Sequence, residues 1–350
     1  MKKPLFLYGK RSINYNIIMS NDWNVIGHDW AVELLKGHLK RGKPRHAYLI
    51  TGPANVGRRT LALRFAQAIN ELDANDPGCF DPKSQDSLRI ENMEHPDLSV
   101  VVRQPGDRDI KIAGIRELQQ QLALTPYMSK FRFALLLNFE EANNNASNAL
   151  LKTLEEPASQ VVMILTAISP ENLLPTIVSR CEHIRLRPVN LKLLAGELQA
   201  GWGISSEDAN LFAHISGGRP GLAIRYISDS EFLDQRKEIL QALKILIKAN
   251  RSERFKYARK MSKDKENFKD VLNIWQLFWR DVLIRKTGAE GEITNIDLQS
   301  DIVSTADQVP ITKIHNILRG IDISFAAIQQ NVHPLINAET LFLKFPILKK

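Results

Sequence analysis

A strand, a glycine loop and a helix follow one another without a break, and no other feature of this chain restricts its fold as strongly. The run Ala47–Thr51 (AYLIT) is short and mostly apolar, and Gly52 and Pro53 halt it, as suits a buried strand entering a loop. Leu61–Ile69 (LALRFAQAI) then places apolar residues at helical spacing. Between them stands Gly52-Pro53-Ala54-Asn55-Val56-Gly57-Arg58-Arg59-Thr60, with glycine at both required positions of G-x-x-x-x-G-K-[ST]. In such a loop the backbone N–H groups and the following helix N-terminus cradle phosphate.

The side chains depart from that pattern. Arg58 holds the lysine position and Arg59 the hydroxyl position. A lysine ammonium is a compact point charge, whereas a guanidinium is planar and larger and must sit differently. Arg59 is the more serious change, because a cation cannot replace a hydroxyl as a magnesium ligand. Thr60 is one residue out of register, a turn of about 100° on a helix. Further on, Phe133–Leu137 reads as a strand and is followed by Asn138-Phe139-Glu140-Glu141. A nucleotide-hydrolysing chain would place Asp-Glu there, the first carboxylate orienting magnesium and the second the attacking water. Glu140 is one methylene longer than Asp. Carboxylates after a strand are common, so the pair gains meaning only beside the altered loop, as the remnant of such a site.

Around the loop, helical and strand patterns alternate. Ala31–Leu39 and Ser147–Glu156 read as helices, the second stopped by Pro157; Leu98–Val102 and Val161–Thr166 read as strands. Strands separated by helices predict an α/β domain with a parallel sheet covered on both faces. Beyond Pro188 the strand signals fade. Leu191–Leu198, Glu207–Ile215, Phe232–Ile247, Glu253–Met261, Phe268–Arg285, Ile311–Gln330 and Ala338–Leu343 read as helices. Trp275, Phe278, Trp279 and Val282 fall at helical spacing and predict a bundle core rather than a cofactor box.

Length and composition set outer limits. At 350 residues, two or three domains are expected, and 44% hydrophobic with 25% charged residues excludes a largely disordered chain. A net charge of +8 permits nucleic-acid contact without demanding it. Two cysteines, Cys79 and Cys181, cannot build a disulfide framework or a four-thiolate zinc site, which fits a reducing cytoplasm. No run approaches the roughly 18 apolar residues of a membrane helix. Met1–Ser20 lacks a signal-peptide core and is expected to be a disordered extension or a start placed too early, with Met19 the alternative start.

Four segments carry a family resemblance. Arg45–Pro53 (RHAYLITGP) resembles the lead-in to the phosphate loop of bacterial DNA polymerase III clamp-loader subunits, members of the AAA+ group. Asn148–Pro157 (NALLKTLEEP) is similar to the family's helix after the second nucleotide motif. Leu174–Cys181 (LPTIVSRC) contains its Ser-Arg-Cys motif. Asn331-Val332-His333-Pro334 with Glu339 resembles the last helix of its C-terminal collar, and Trp279–Leu283 (WRDVL) an earlier one. Together they extend over nearly the whole chain.

The resemblance implies an AAA+ α/β domain over 21–187, a helical lid over 188–230 and an oligomerising helical collar over 231–350. Within the family, gamma/tau motor subunits keep Lys and Ser/Thr in the phosphate loop. Arg58 and Arg59 therefore point to the delta-prime type, with an active gamma/tau-type ATPase the alternative and a stand-alone DNA-binding protein a third. The family's four-cysteine module would fall near Asp73–His95, where only Cys79 stands, so no metal is implied. No resident cofactor is implied either, although backbone donors around Gly52–Gly57 leave ATP or ADP binding open. The connection from Glu141 to Asn148 is shorter than the family pattern. No polar sensor residue is assigned after Val161–Thr166, where Ala167 and Ile168 follow.

The implied mechanism acts in trans. Arg180 matches the arginine that projects into the ATP site of a neighbouring subunit; the alternative is a carboxylate partner within its own sheet. Ser179 and Cys181 read as turn and packing residues. Arg219 falls near the region that meets nucleotide from the lid, or is simply solvated. Ile110–Met128, with Lys111, Arg116 and Lys130, offers a DNA-facing surface or a solvated helix face, binding phosphates without reading sequence. Implied partners are gamma/tau and delta subunits and, through the complex, sliding clamp and primer-template DNA.

Overall fold

A computed structural model describes residues 21–42, 44–70, 77–330 and 332–348, so the expectations for Met1–Ser20 and the role of Asn331 lie outside the described residues. The chain divides into two compact units, Met1–Ala209 with Gly218–Leu222, and Asn210–Gly217 with Ala223–Lys350.

The first unit is built on a fully parallel sheet of β1 (Ala47–Thr51), β2 (Leu98–Val101), β3 (Arg132–Leu136), β4 (Val161–Ala167) and β5 (Glu182–Arg185), in spatial order β2-β3-β4-β1-β5. Its helices are α1 (Asp29–Lys40), α2 (Arg58–Asn70), α3 (Gln85–Glu91), α4 (Ile112–Leu122), α5 (Asn144–Glu155) and α6 (Pro175–Val178). The period-two alternation of the strands explains why both faces are covered. Tyr48, Ile50, Phe133, Leu135, Val162, Ile164 and Ile184 enter one core with α1 and α2. Ala47, Leu49, Ala134, Leu136, Met163 and Leu165 enter the opposite core with α4, α5 and Ile177 of α6. The predicted parallel α/β domain is therefore present.

Three local details differ from the sequence reading. β5 was not separable from its surroundings, because it is an edge strand with only Ile184 buried among Glu182–Arg185. The α5 helix begins at Asn144, ahead of the expected Ser147, because the Asn143 side chain accepts from Ala146 N–H and caps the first turn. Ile112–Leu122 is helical, but the chain then runs as an irregular loop through Met128. That loop is fixed from beneath by Asp97, whose carboxylate accepts from the N–H groups of Tyr127 (2.7 Å), Met128 (2.7 Å) and Ser129 (2.9 Å).

The second unit is helical. Ser230–Leu246, Arg251–Met261, Lys265–Thr287, Gln299–Gln308, Ile311–Gln329 and Pro334–Leu343 surround Trp275, Phe278, Trp279 and Val282, all buried as the aromatic stripe predicted. Trp275 meets Phe342 and Phe345 at ring distances of 5.6 and 5.4 Å. Its buried charges are satisfied internally: Arg236 donates to Asp297 and Asn295, and Arg254 donates to the carbonyls of Leu246, Phe342 and Phe345. Between Pro188 and Ser230 lie the helices Leu191–Trp202, Ser206–Ile215 and Pro220–Ser228, the last unseen in the sequence because Ser216-Gly217-Gly218 reads only as a break. Among the described residues no helix is long and apolar enough to cross a membrane.

Candidate functional site

The glycine loop leaves β1 and enters α2, the arrangement its spacing predicts. Gly52 lies at φ +150°, and a Cβ there would stand 2.6 Å from the Leu186 carbonyl oxygen. Gly57 lies at φ +114°, also outside the ordinary range of side-chain-bearing residues. Buried His28 closes the loop from below, its Nε2 2.9 Å from the Val56 carbonyl oxygen. Burial lowers the pKa of that imidazole more than the bond to Val56 raises it. The loop is also met from 218–222, where the Gly221 N–H donates to the Asn55 carbonyl at 2.9 Å. This turn carries Arg219, which places that residue beside the phosphate loop within the same compact unit.

Arg58 does not lie along the loop. Its side chain is buried, and Nη2 donates across 3.3 Å to Oδ1 of Asn138, just beyond β3. Asn138 holds a left-handed conformation, φ +49°, and its N–H donates to Oγ1 of buried Thr166 on β4 at 2.9 Å. Glu140 joins the same cluster, accepting from Ile168 N–H at 3.3 Å. Arg58 Nη1 and Glu140 Oε2 are both buried without a hydrogen-bond partner. Burial pushes the Glu140 carboxyl above the ordinary glutamate range, outweighing the lowering by nearby Arg58. Burial likewise pulls Arg58 below its usual value against the opposing effect of Glu140. Desolvation thus exceeds mutual attraction for both groups, and each is held in a site that disfavours its charge.

The remaining predicted residues disperse. Arg59 and Thr60 are exposed on α2, with Arg59 Nη2 near the Met93 sulfur at 3.9 Å. Glu141 turns away to accept from Arg103 Nε at 3.0 Å. The groups assembled at the loop do not fit magnesium: Arg59 stands where the hydroxyl ligand would be, Thr60 lies one residue out of register, one carboxylate is tied to Arg103 and the other lies beside a buried guanidinium. The residues near Cys79 do not fit zinc, since its sulfur lies 3.5 Å from Asp22 Oδ2 and no metal-holding group of His, Cys, Asp and Glu exists among the described residues. Sequence reasoning gave no role to Asn138, Thr166 or His28, which come to the loop and to Arg58 only after folding. The Gly-rich spacing signals the loop but carries no information about them.

Arg180 lies apart from that cluster, just past the four-residue helix α6. Its Nη1 donates to the Thr176 carbonyl at 2.9 Å, and its Nη2 to Glu155 Oε1 at 2.7 Å, with the side chain one-third exposed. The carboxylate partner comes from the end of α5, not from the sheet. Ser179 Oγ donates to Thr176 O, and burial pushes the Cys181 thiol up to about 12, so it stays protonated and unreactive. On the α4 side, Lys111 pairs with Asp107 at 2.6 Å, and Arg116 is exposed.

Comparison with known proteins agrees with the sequence motifs. The family described as DNA polymerase III, delta subunit, matches residues 27–190, and its C-terminal counterpart matches residues 230–345. A DNA polymerase III subunit delta' of Bacillus subtilis is 26% identical over 314 residues, covering 89% of this chain and 92% of the relative. The subunit delta' of Pseudomonas aeruginosa is 32% identical over 213 residues, covering 59% of this chain and 63% of the relative. Among solved structures, a DNA polymerase III gamma subunit-related protein of Thermotoga maritima aligns with a TM-score of 0.46 at 17% identity, covering 89% of this chain and 97% of that one. With a parallel α/β unit carrying the glycine loop, a helical C-terminal unit and matches in both parts, the chain belongs to the delta-prime family of DNA polymerase III clamp-loader subunits.

Proposed function

We propose that the chain is a non-hydrolysing subunit of the DNA polymerase III clamp loader that presents Arg180 to the ATP site of an adjacent gamma/tau subunit. The observation that carries this reading is the position of Arg58. In a working site a lysine faces the terminal phosphates and a hydroxyl holds magnesium. Here the guanidinium is buried and reaches Asn138, beside a Glu140 whose charge is disfavoured. The chain thus keeps the backbone of a phosphate loop without the side chains for magnesium-dependent hydrolysis, and supplies no ATPase of its own to the polymerase holoenzyme.

Arg180 supplies what the chain offers its neighbour. A guanidinium facing a transferring γ-phosphoryl neutralises developing negative charge, and such arginines are worth about 10³–10⁵ in rate. Residues 188–230 act as the lid and 231–350 as the collar through which the subunit joins gamma/tau and delta. Through the assembled ring it supports opening of the sliding clamp and its loading onto primer-template DNA. The test is a reconstituted complex carrying Arg180→Ala. Assembly should be unchanged and DNA-stimulated ATP hydrolysis should fall; an unaltered rate at equal assembly rejects the role.

A further inference from the structure

We propose that Glu155 is a positioning residue for Arg180, anchoring one edge of its guanidinium so that the other edge stays directed at a neighbour's phosphate. The inference rests on the in-trans reading of Arg180. Its basis is the geometry at the end of α5. Glu155 is the final residue of that helix, and Glu156 at the cap follows it before Pro157 ends the helix. A carboxylate at a helix C-terminus opposes the macrodipole, so nothing in the helix itself favours Glu there. What the position provides is a cation site, with the Glu155 carboxylate beside the negative end of the helix.

Arg180 fills that site from α6. Nη2 donates to Glu155 Oε1 at 2.7 Å, and Nη1 donates to the Thr176 carbonyl at 2.9 Å. The Thr176 carbonyl belongs to a helix of only four residues, so the bond also closes the end of that turn. Guanidinium carries five N–H donors in a rigid plane, and these two bonds use one from each terminal nitrogen. Three donors stay available, and the side chain is one-third exposed, enough to meet an incoming anion. Fixing two points of a planar group fixes its plane, which a single flexible arginine stem does not achieve. A pair this exposed adds little to folding stability, so its place here suits orientation better than support of the fold.

The consequence for rate follows from geometry. A charged group displaced by about 1 Å from the reacting centre can lose on the order of 10²-fold in rate. Loss of Glu155 frees the guanidinium to sample other rotamers while keeping its charge, so the effect is smaller than removing Arg180.

The experiment uses the complete clamp-loader complex, assembled with Glu155→Ala, Glu155→Gln, Arg180→Ala and the Glu155→Ala/Arg180→Ala double variant, with DNA-stimulated ATPase resolved into kcat and KM. Glu155→Ala should lower kcat about 5- to 10-fold with KM unchanged. Glu155→Gln, which keeps an acceptor oxygen but loses the charge, should fall between Ala and wild type and guards against a folding defect in the Ala variant. The double variant should match Arg180→Ala alone, because the carboxylate acts only through that arginine. A full-rate Glu155→Ala complex, a faster one, or losses that multiply in the double variant would each overturn the positioning role while leaving Arg180 in place. An Arg180→Ala complex with an unchanged rate would instead overturn the in-trans reading, and this inference with it.

Discussion

Arg58 Nη2 donates to Asn138 Oδ1 across 3.3 Å, joining the start of α2 to the residues beyond β3. The bond ties the cation of the phosphate loop to the segment that carries Glu140 and Glu141. Asn138 can accept it because its own backbone, in a left-handed conformation, is fixed by the Thr166 hydroxyl. The surroundings desolvate both Arg58 and Glu140, so burial disfavours the charge of each.

Arg180→Ala should leave assembly intact and lower DNA-stimulated ATPase in the complex by at least about tenfold at the site it serves. Steady-state hydrolysis at matched complex concentration, checked by mass in solution, reads this directly.

The pH dependence of Glu140 has a defined sign. Its folded pKa is raised above the ordinary value near 4.5, so its contribution to stability is full below that value and is lost as pH rises through the raised one. Glu140→Gln, which cannot ionise, should therefore gain on the wild type as pH rises from 4 to 8. Urea unfolding across that range checks it; a difference that stays constant with pH contradicts the raised pKa.

Asp97 behaves in the opposite sense. Burial works against its charge, but the N–H donors of Tyr127, Met128 and Ser129, with Arg132, outweigh it and hold the pKa below the usual carboxylate range. Its stabilisation is present above the ordinary aspartate value and lost as pH falls through the lowered one. Asp97→Ala leaves three backbone donors without their acceptor and should cost about 3 kcal/mol at neutral pH. Denaturant midpoints at pH 7 and pH 3 should show the difference shrinking in acid.

How much of this was legible in the chain depended on sequence distance. The phosphate loop and its flanking strand and helix are one local pattern, and β1 was found to the residue. The aromatic core of the second unit was equally plain, because Trp275, Phe278, Trp279 and Val282 repeat at helical spacing. β5 was not, since one buried residue in four leaves no strand pattern. The direction of Arg58 was hidden for another reason: its partner lies 80 residues away, and only the neighbouring strand ends bring the two together. Glu155 likewise reads as an ordinary helix-end charge until α6 places Arg180 against it. Residue identity put Arg58 and Arg59 at the lysine and hydroxyl positions of the pattern; three-dimensional packing shows where Arg58 goes.

Trp275 lies among Tyr257, Phe342 and Phe345, and its Nε1 donates to the Ile239 carbonyl at 3.2 Å. Trp275→Ala should destabilise the second unit by about 4 kcal/mol through the cavity it leaves. Calorimetry should show an earlier transition for that unit. An unchanged transition would contradict the packing described.

The central claim, that the phosphate loop has lost magnesium-dependent hydrolysis, is tested most directly on the purified chain alone. ATP turnover is measured with saturating magnesium and ATP, beside a Gly57→Asp variant whose carboxylate blocks the loop. The wild-type chain should show no turnover above that variant. Magnesium-dependent hydrolysis that Gly57→Asp abolishes would contradict the account.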